Sequence, residues 1–217
     1  MTRIATLTRR AYRGLTVRAP AFYSPDMHIT APDEAIATAL QIIGTAQARC
    51  SGTKVVAVDG PSGAGKTDFA AALAERLPGA VLLHMDDLYA GWDGLPRAVT
   101  DLNRRVLEPL SRGEPAAYQR WDWERSAYAG WHSLPAAELL VVEGVGSGAN
   151  PGWRLESVLI WLEADRDERF RRAIARDGQT YLPHWQRWAT LEEALFAVDR
   201  TRGRADLIID TTGRPDL

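Results

Sequence analysis

Lys54-Val-Val-Ala-Val-Asp59 runs directly into Gly60-Pro61-Ser62-Gly63-Ala64-Gly65-Lys66-Thr67, and this junction decides the fold. The first six residues are mostly apolar and β-branched and end against glycine, the pattern of a short buried strand. The next eight fit G-x-x-x-x-G-K-[ST] without a mismatch. Helix-forming residues follow from Lys66 to about Leu77, where Pro78-Gly79 closes them. Glycines let the backbone curl so that successive N–H groups point inward, and the helix N-terminus adds partial positive charge. The junction therefore reads as a phosphate cradle. Lys66 is expected to reach the β- and γ-phosphates of a triphosphate, and Thr67 to set its hydroxyl on Mg²⁺.

Outward from the cradle, apolar runs alternate with helical periods. Strands are expected at Ala80–Met85, Leu139–Glu143, Ser157–Leu162 and Ala205–Asp210. Helices are expected from Pro32, from about Arg97 to Leu110, from about Asp165 to Asp177, and from about His184 to Arg200. The stretch from Pro115 to Leu134 is rich in aromatics and reads as irregular. Strands alternating with helices imply an α/β fold with a parallel sheet and right-handed crossovers. Residues 1–30 show no sustained period and contain Pro20 and Pro25, so they read as an N-terminal extension. No linker divides residues 31–217, which read as one domain.

Composition narrows the function classes. A net charge of −2 gives no global basic field for nucleic acid. The single cysteine, Cys50, rules out a disulfide framework within the chain and fits a reducing compartment. No apolar run reaches the length of a membrane span. Arg3, Arg9, Arg10, Arg13 and Arg18 occur without the apolar stretch of a secretory signal. A cytoplasmic location is expected, with no nucleic-acid or membrane partner, and a homo-oligomer is compatible with the sequence.

Three further segments carry chemistry. Asp86-Asp87-Leu88-Tyr89 follows the second strand, and ligands of open α/β sheets sit outside the carboxyl ends of strands. Asp86 directly follows the strand and is the expected general base for an acceptor hydroxyl. Asp87 and Tyr89 are expected on the acceptor side. Glu143 ends the strand Leu-Leu-Val-Val-Glu, a position for an acid near Mg²⁺. On the helix from Asp165 to Asp177, Arg169, Arg172 and Arg176 share one stripe. Guanidinium groups there suit the dispersed charge of a phosphoryl group in transfer, with Arg172 as the expected catalytic member and Arg169 and Arg176 on the nucleotide. Trp92, Trp121, Trp123, Trp185 and Trp188 admit two readings, ring stacking in an acceptor pocket or packing against the core.

The order of these segments resembles the uridine kinase family, within the wider group that holds nicotinamide riboside kinase and pantothenate kinase. The resemblance runs from about Lys54 to Asp210, and Arg169-Phe-Arg-Arg-Ala-Ile-Ala-Arg-Asp177 carries it together with the cradle. It implies a three-layer P-loop NTPase fold, a five-stranded parallel sheet in the order 2-3-1-4-5, and an arginine-bearing helical lid. It also implies ATP and Mg²⁺ as cofactors and transfer of phosphate to a small-molecule hydroxyl. By position, Asp86 matches the family's catalytic aspartate. Trp121-Asp122-Trp123 resembles the family's Tyr-Asp-Phe segment, which makes Trp121 and Asp122 candidates for acceptor contact. The Asn-Phe-Asp-His-Pro segment typical of uridine kinases is absent, so the resemblance implies a kinase without fixing uridine as acceptor. The competing readings are a P-loop ATPase or regulatory switch without an acceptor, and a module that holds nucleotide without turnover.

Overall fold

The computed structural model describes residues 32–178 and 181–213. The extension read at residues 1–30 lies outside them. Seven strands occur: β1 (Lys54–Asp59), β2 (Val81–His84), β3 (Ala116–Asp122), β4 (Ala127–Leu134), β5 (Leu139–Glu143), β6 (Val158–Glu163) and β7 (Leu207–Asp210). Helices are α1 (Pro32–Thr45), α2 (Lys66–Glu75), α3 (Leu95–Asp101), α4 (Glu108–Ser111), α5 (Arg166–Asp177) and α6 (Trp185–Asp199).

Five strands form one sheet in the order β2-β5-β1-β6-β7. Every pairing in it is parallel. With the β3–β4 hairpin set aside, this is the expected 2-3-1-4-5. Alternation along β1 and β5 sorts side chains to two faces. Val55, Leu140 and Val142 meet Leu95, Val99, Leu102, Val106 and Trp188 on one side. Val56, Val58 and Val141 meet α1 through Ala35, Ile36 and Ala39, and α2 through Phe69, Ala70 and Leu73, on the other. Both faces are covered, which is why these strands read as continuous apolar runs and why the domain has three layers. Full burial of a side chain such as Phe69 contributes about 1.5–3 kcal/mol.

Two segments differ from expectation. The stretch expected to be irregular is an antiparallel hairpin, with Tyr118 opposite His132 and Trp121 opposite Tyr128. Its turn contains no glycine, and Ser126 takes the positive φ of 48° that glycine usually supplies. A register shift between Gln119 and Trp121 also breaks the alternation that marks a strand. The helix expected over 97–110 runs instead from Leu95 to Ser111 and widens to π spacing over Leu102–Leu107, just before Pro109, which has no N–H to donate.

Candidate active site

The cradle closes tightly on its neighbours. A Cβ at Gly60 (φ 140°) would come within 2.0 Å of the Leu162 carbonyl oxygen, and one at Gly63 (φ 80°) within 2.3 Å of the Arg169 carbonyl oxygen. Both obstacles are backbone, so only glycine fits. Lys66 opens α2 and is buried, with Nζ donating to the Pro61 carbonyl at 2.9 Å. Burial lowers its pKa, and the charges of Glu192, Glu143, Asp59 and Asp86 oppose that shift. These contacts place the ends of β1 and β5 and the turn after β2 around one ammonium.

Thr67 Oγ1 donates to Glu143 Oε1 at 3.3 Å, and His84 Nδ1 lies 2.6 Å from the same oxygen. The bond to Glu143 is the main cause that raises the His84 pKa. Sequence reasoning did not single out His84. Its position at the end of β2, beside the last residue of β5, follows from the register of those strands. Among the described residues no group of three or more His, Cys, Asp or Glu side chains could enclose a metal. A hydroxyl and one carboxylate oxygen are nevertheless the hard donor set that Mg²⁺ takes from protein when phosphates and water complete its shell. Thr67 and Glu143 fit that ion.

Met85–Asp87 forms a single 3₁₀ turn at the end of β2. Asp86 is an exposed residue on that turn, and the charges of Glu143, Arg176, Lys66 and His84 act on it. Desolvation by the surrounding protein raises its pKa first, and Glu143 adds to the rise, while Arg176, Lys66 and His84 oppose it. Asp87 points elsewhere, with Oδ2 accepting from the Tyr118 hydroxyl of β3 at 3.1 Å. Trp123 Nε1 donates to the Asp86 carbonyl at 2.9 Å. The unforeseen hairpin therefore folds over the acid turn.

Several expected acceptor contacts are placed otherwise. Tyr89 is 2% exposed, packs edge-on against Trp188, and donates its hydroxyl to the Val145 carbonyl at 2.8 Å. It is a core residue beneath the loop. Asp122 accepts from the Arg125 N–H at 3.0 Å and so ties the hairpin turn. Trp121 packs edge-on against Tyr128, with a buried Nε1 that has no protein partner. Trp123 is the member of that triplet that touches the acid turn. Packing accounts for Trp185, which meets Phe170 and Tyr181, and for Trp188. Trp92 stacks on Tyr181 and His184 and tilts against Trp123.

The arginine stripe divides. Arg169 donates to the Ala164 carbonyl at 3.0 Å and to the Ser62 carbonyl at 3.2 Å. Arg172, expected as the catalytic member, is held by Glu168, by Thr211 Oγ1 at 2.9 Å and by the Thr211 carbonyl at 2.7 Å, and reaches the Gly63 carbonyl at 3.4 Å. Its guanidinium joins α5 to the end of β7 and to the cradle backbone. Arg176 pairs with Asp177, and its charge acts on Asp86 and Asp68. It is the stripe's member on the side of the acid turn.

Two acids escaped the sequence reading. Asp59 is fully buried at the end of β1. Its Oδ1 accepts from Gly60 N at 2.7 Å and Gly146 N at 2.9 Å, and its Oδ2 from Gly148 N at 2.9 Å. It thus binds the entry of the cradle to the glycine loop after Glu143, and burial pushes its carboxyl up to about 6. Glu192 of α6 is 2% exposed and accepts from the Ser62 N–H at 2.9 Å. An acid at i+4 and i+7 from Trp188 and Trp185 falls on the buried stripe of its helix, a signal that periodicity offers.

No protein-family model matches the chain, and no curated protein matches its sequence. Solved structures do match. A Bacillus stearothermophilus protein described as a possible uridine kinase has 18% identity and a TM-score of 0.61, over 82% of this chain and 98% of its own. A Silicibacter protein described as a candidate fructose transport system kinase has 21% identity and a TM-score of 0.55, over 82% and 98%. D-glycerate 3-kinase from Cryptococcus neoformans has 10% identity and a TM-score of 0.50, over 82% and 95%. At these identities the likeness is one of fold, and that fold is the three-layer α/β P-loop fold of the uridine kinase-like structures.

Proposed function

We propose that this chain is an ATP-dependent phosphotransferase that moves the γ-phosphate to a hydroxyl of a small molecule, of the nucleoside or vitamin-like kind. The observation that carries the reading is the convergence of Lys66, the Thr67–Glu143 pair and Asp86 at the carboxyl ends of β1, β5 and β2. A cradle alone serves any triphosphate chemistry. An acid on the turn after β2, within reach of the charges of Lys66 and Arg176, suits the activation of a hydroxyl.

In this reading the backbone N–H groups from Ser62 to Thr67 and the Lys66 ammonium bind phosphate. Thr67 and Glu143 hold Mg²⁺, which supplies charge neutralisation on the phosphates when bound. Arg169 and Arg172 keep the cradle backbone in place from α5. Asp86 accepts the proton of the acceptor hydroxyl, and Arg176 faces the charge that develops during transfer. Trp123 holds the acid turn from the hairpin side. Desolvation raises the Asp86 pKa above its ordinary value, the direction that makes a carboxylate a stronger base. The absence of a transmembrane-length apolar helix among the described residues is compatible with a cytoplasmic enzyme.

Asp86→Asn keeps size and polarity but removes the basic site. Acceptor-dependent ADP formation should fall by about 10²–10⁴-fold while nucleotide affinity stays within roughly threefold. Undiminished turnover in this variant would remove the base and favour an ATPase or switch.

A further inference from the structure

Ser62, the third residue of the cradle, has each of its polar groups taken by α5, α6 or the segment between them. Its carbonyl accepts from Arg169, its hydroxyl accepts from Trp188 Nε1 at 2.9 Å and shares a hydrogen bond with Tyr181, and its N–H donates to Glu192. The last contact is unusual in kind. It places a buried carboxylate on a loop whose geometry otherwise suits anions. The same carboxylate is the largest single charge acting on Lys66 and on Arg169. Two cations and a backbone N–H offset the cost of burying it. In return it takes up positive potential that the loop would offer to phosphate.

We propose that Glu192 is the resident counter-anion of the phosphate cradle: it occupies the Ser62 N–H and balances Lys66 and Arg169 until nucleotide phosphate arrives, and so sets how tightly the cradle holds phosphate charge. This rests on the reading of residues 60–67 as a nucleotide cradle. Glu192 touches no reacting atom and acts through Ser62 and Lys66, as a positioning residue. Removal of its charge should therefore tighten nucleotide binding, an outcome that loss of a merely structural contact does not give. The effect should be larger for a triphosphate than for a diphosphate, because more negative charge then faces the same site.

Glu192→Gln tests this, since its amide oxygen still accepts from Ser62 while the charge is gone. Calorimetric titration should show roughly fivefold tighter binding of the Mg²⁺ complex of a non-hydrolysable ATP analogue, and a smaller gain for MgADP. Affinities within twofold of wild type, or weaker, would overturn the proposal. The wild-type protein supplies a second reading if the variant does not fold. MgADP should shift the Ser62 amide resonance strongly as its acceptor changes, and an unmoved resonance in a saturated sample would overturn the proposal. A wild-type protein that binds neither nucleotide would overturn the cradle reading itself, which is a separate failure.

Discussion

Asp59→Asn isolates the buried carboxylate that joins the cradle to the loop after β5. In the variant, Oδ1 can keep the Gly60 and Gly146 N–H groups, but the amide nitrogen would face the Gly148 N–H, donor against donor. That loss amounts to about 1–3 kcal/mol and does not depend on pH. The titration of Asp59 does. Its folded pKa stands at about 6 against an ordinary value of 3.8, with burial as the leading cause. A raised acid pKa means that the folded state favours the protonated form. The contribution is fully present below 3.8 and is lost as pH rises through about 6. The full span corresponds to about 3 kcal/mol, most of it between about pH 4 and pH 7. Urea unfolding of both proteins across that range should show the stability of wild type, relative to the variant, falling by about 2 kcal/mol as pH rises, then levelling off. A difference that stays flat would mean that Asp59 titrates at its ordinary value. A difference that grows in favour of wild type would mean that the three N–H donors outweigh burial, and the reasoning would be refuted.

Lys66→Ala should abolish phosphoryl transfer while near- and far-ultraviolet circular dichroism stay as in wild type; retained turnover in the purified variant would refute the cradle assignment. Arg172→Ala should cost about 1–3 kcal/mol of stability in thermal unfolding and lower ADP affinity and turnover together, because its guanidinium holds Thr211 and the Gly63 carbonyl. Arg176→Ala should lower turnover with little change in stability, and the reverse pattern between the two would return the catalytic role to Arg172.

The sheet was legible because its strands are covered on both faces and therefore read as apolar runs, and the cradle because its backbone demands glycine at fixed offsets. The hairpin was not, since Ser126 stands where glycine would announce the turn and a bulge at Gln119–Trp121 hides the alternation. Spacing placed three arginines on one stripe but could not tell which would be held by Thr211, a residue nearly forty positions away. Tyr89 follows the acid turn closely in sequence, and only the packing of Trp188 and the Val145 carbonyl reveals that it faces inward. Asp59 looked like the polar end of a strand. Its three donors come from glycines brought together by the fold, two of them beyond β5. Glu192 was the recoverable omission, an acid on the apolar stripe of α6.

The central claim is transfer of phosphate to an acceptor hydroxyl, and product analysis tests it most directly. Purified protein with MgATP would be given nucleosides, vitamins and sugars in turn, with ADP, inorganic phosphate and phosphorylated acceptor all quantified. The account predicts ADP formation that depends on one class of acceptor, matched mole for mole by a phosphorylated product and lost in Lys66→Ala. Inorganic phosphate released at the same rate with and without every acceptor would contradict it.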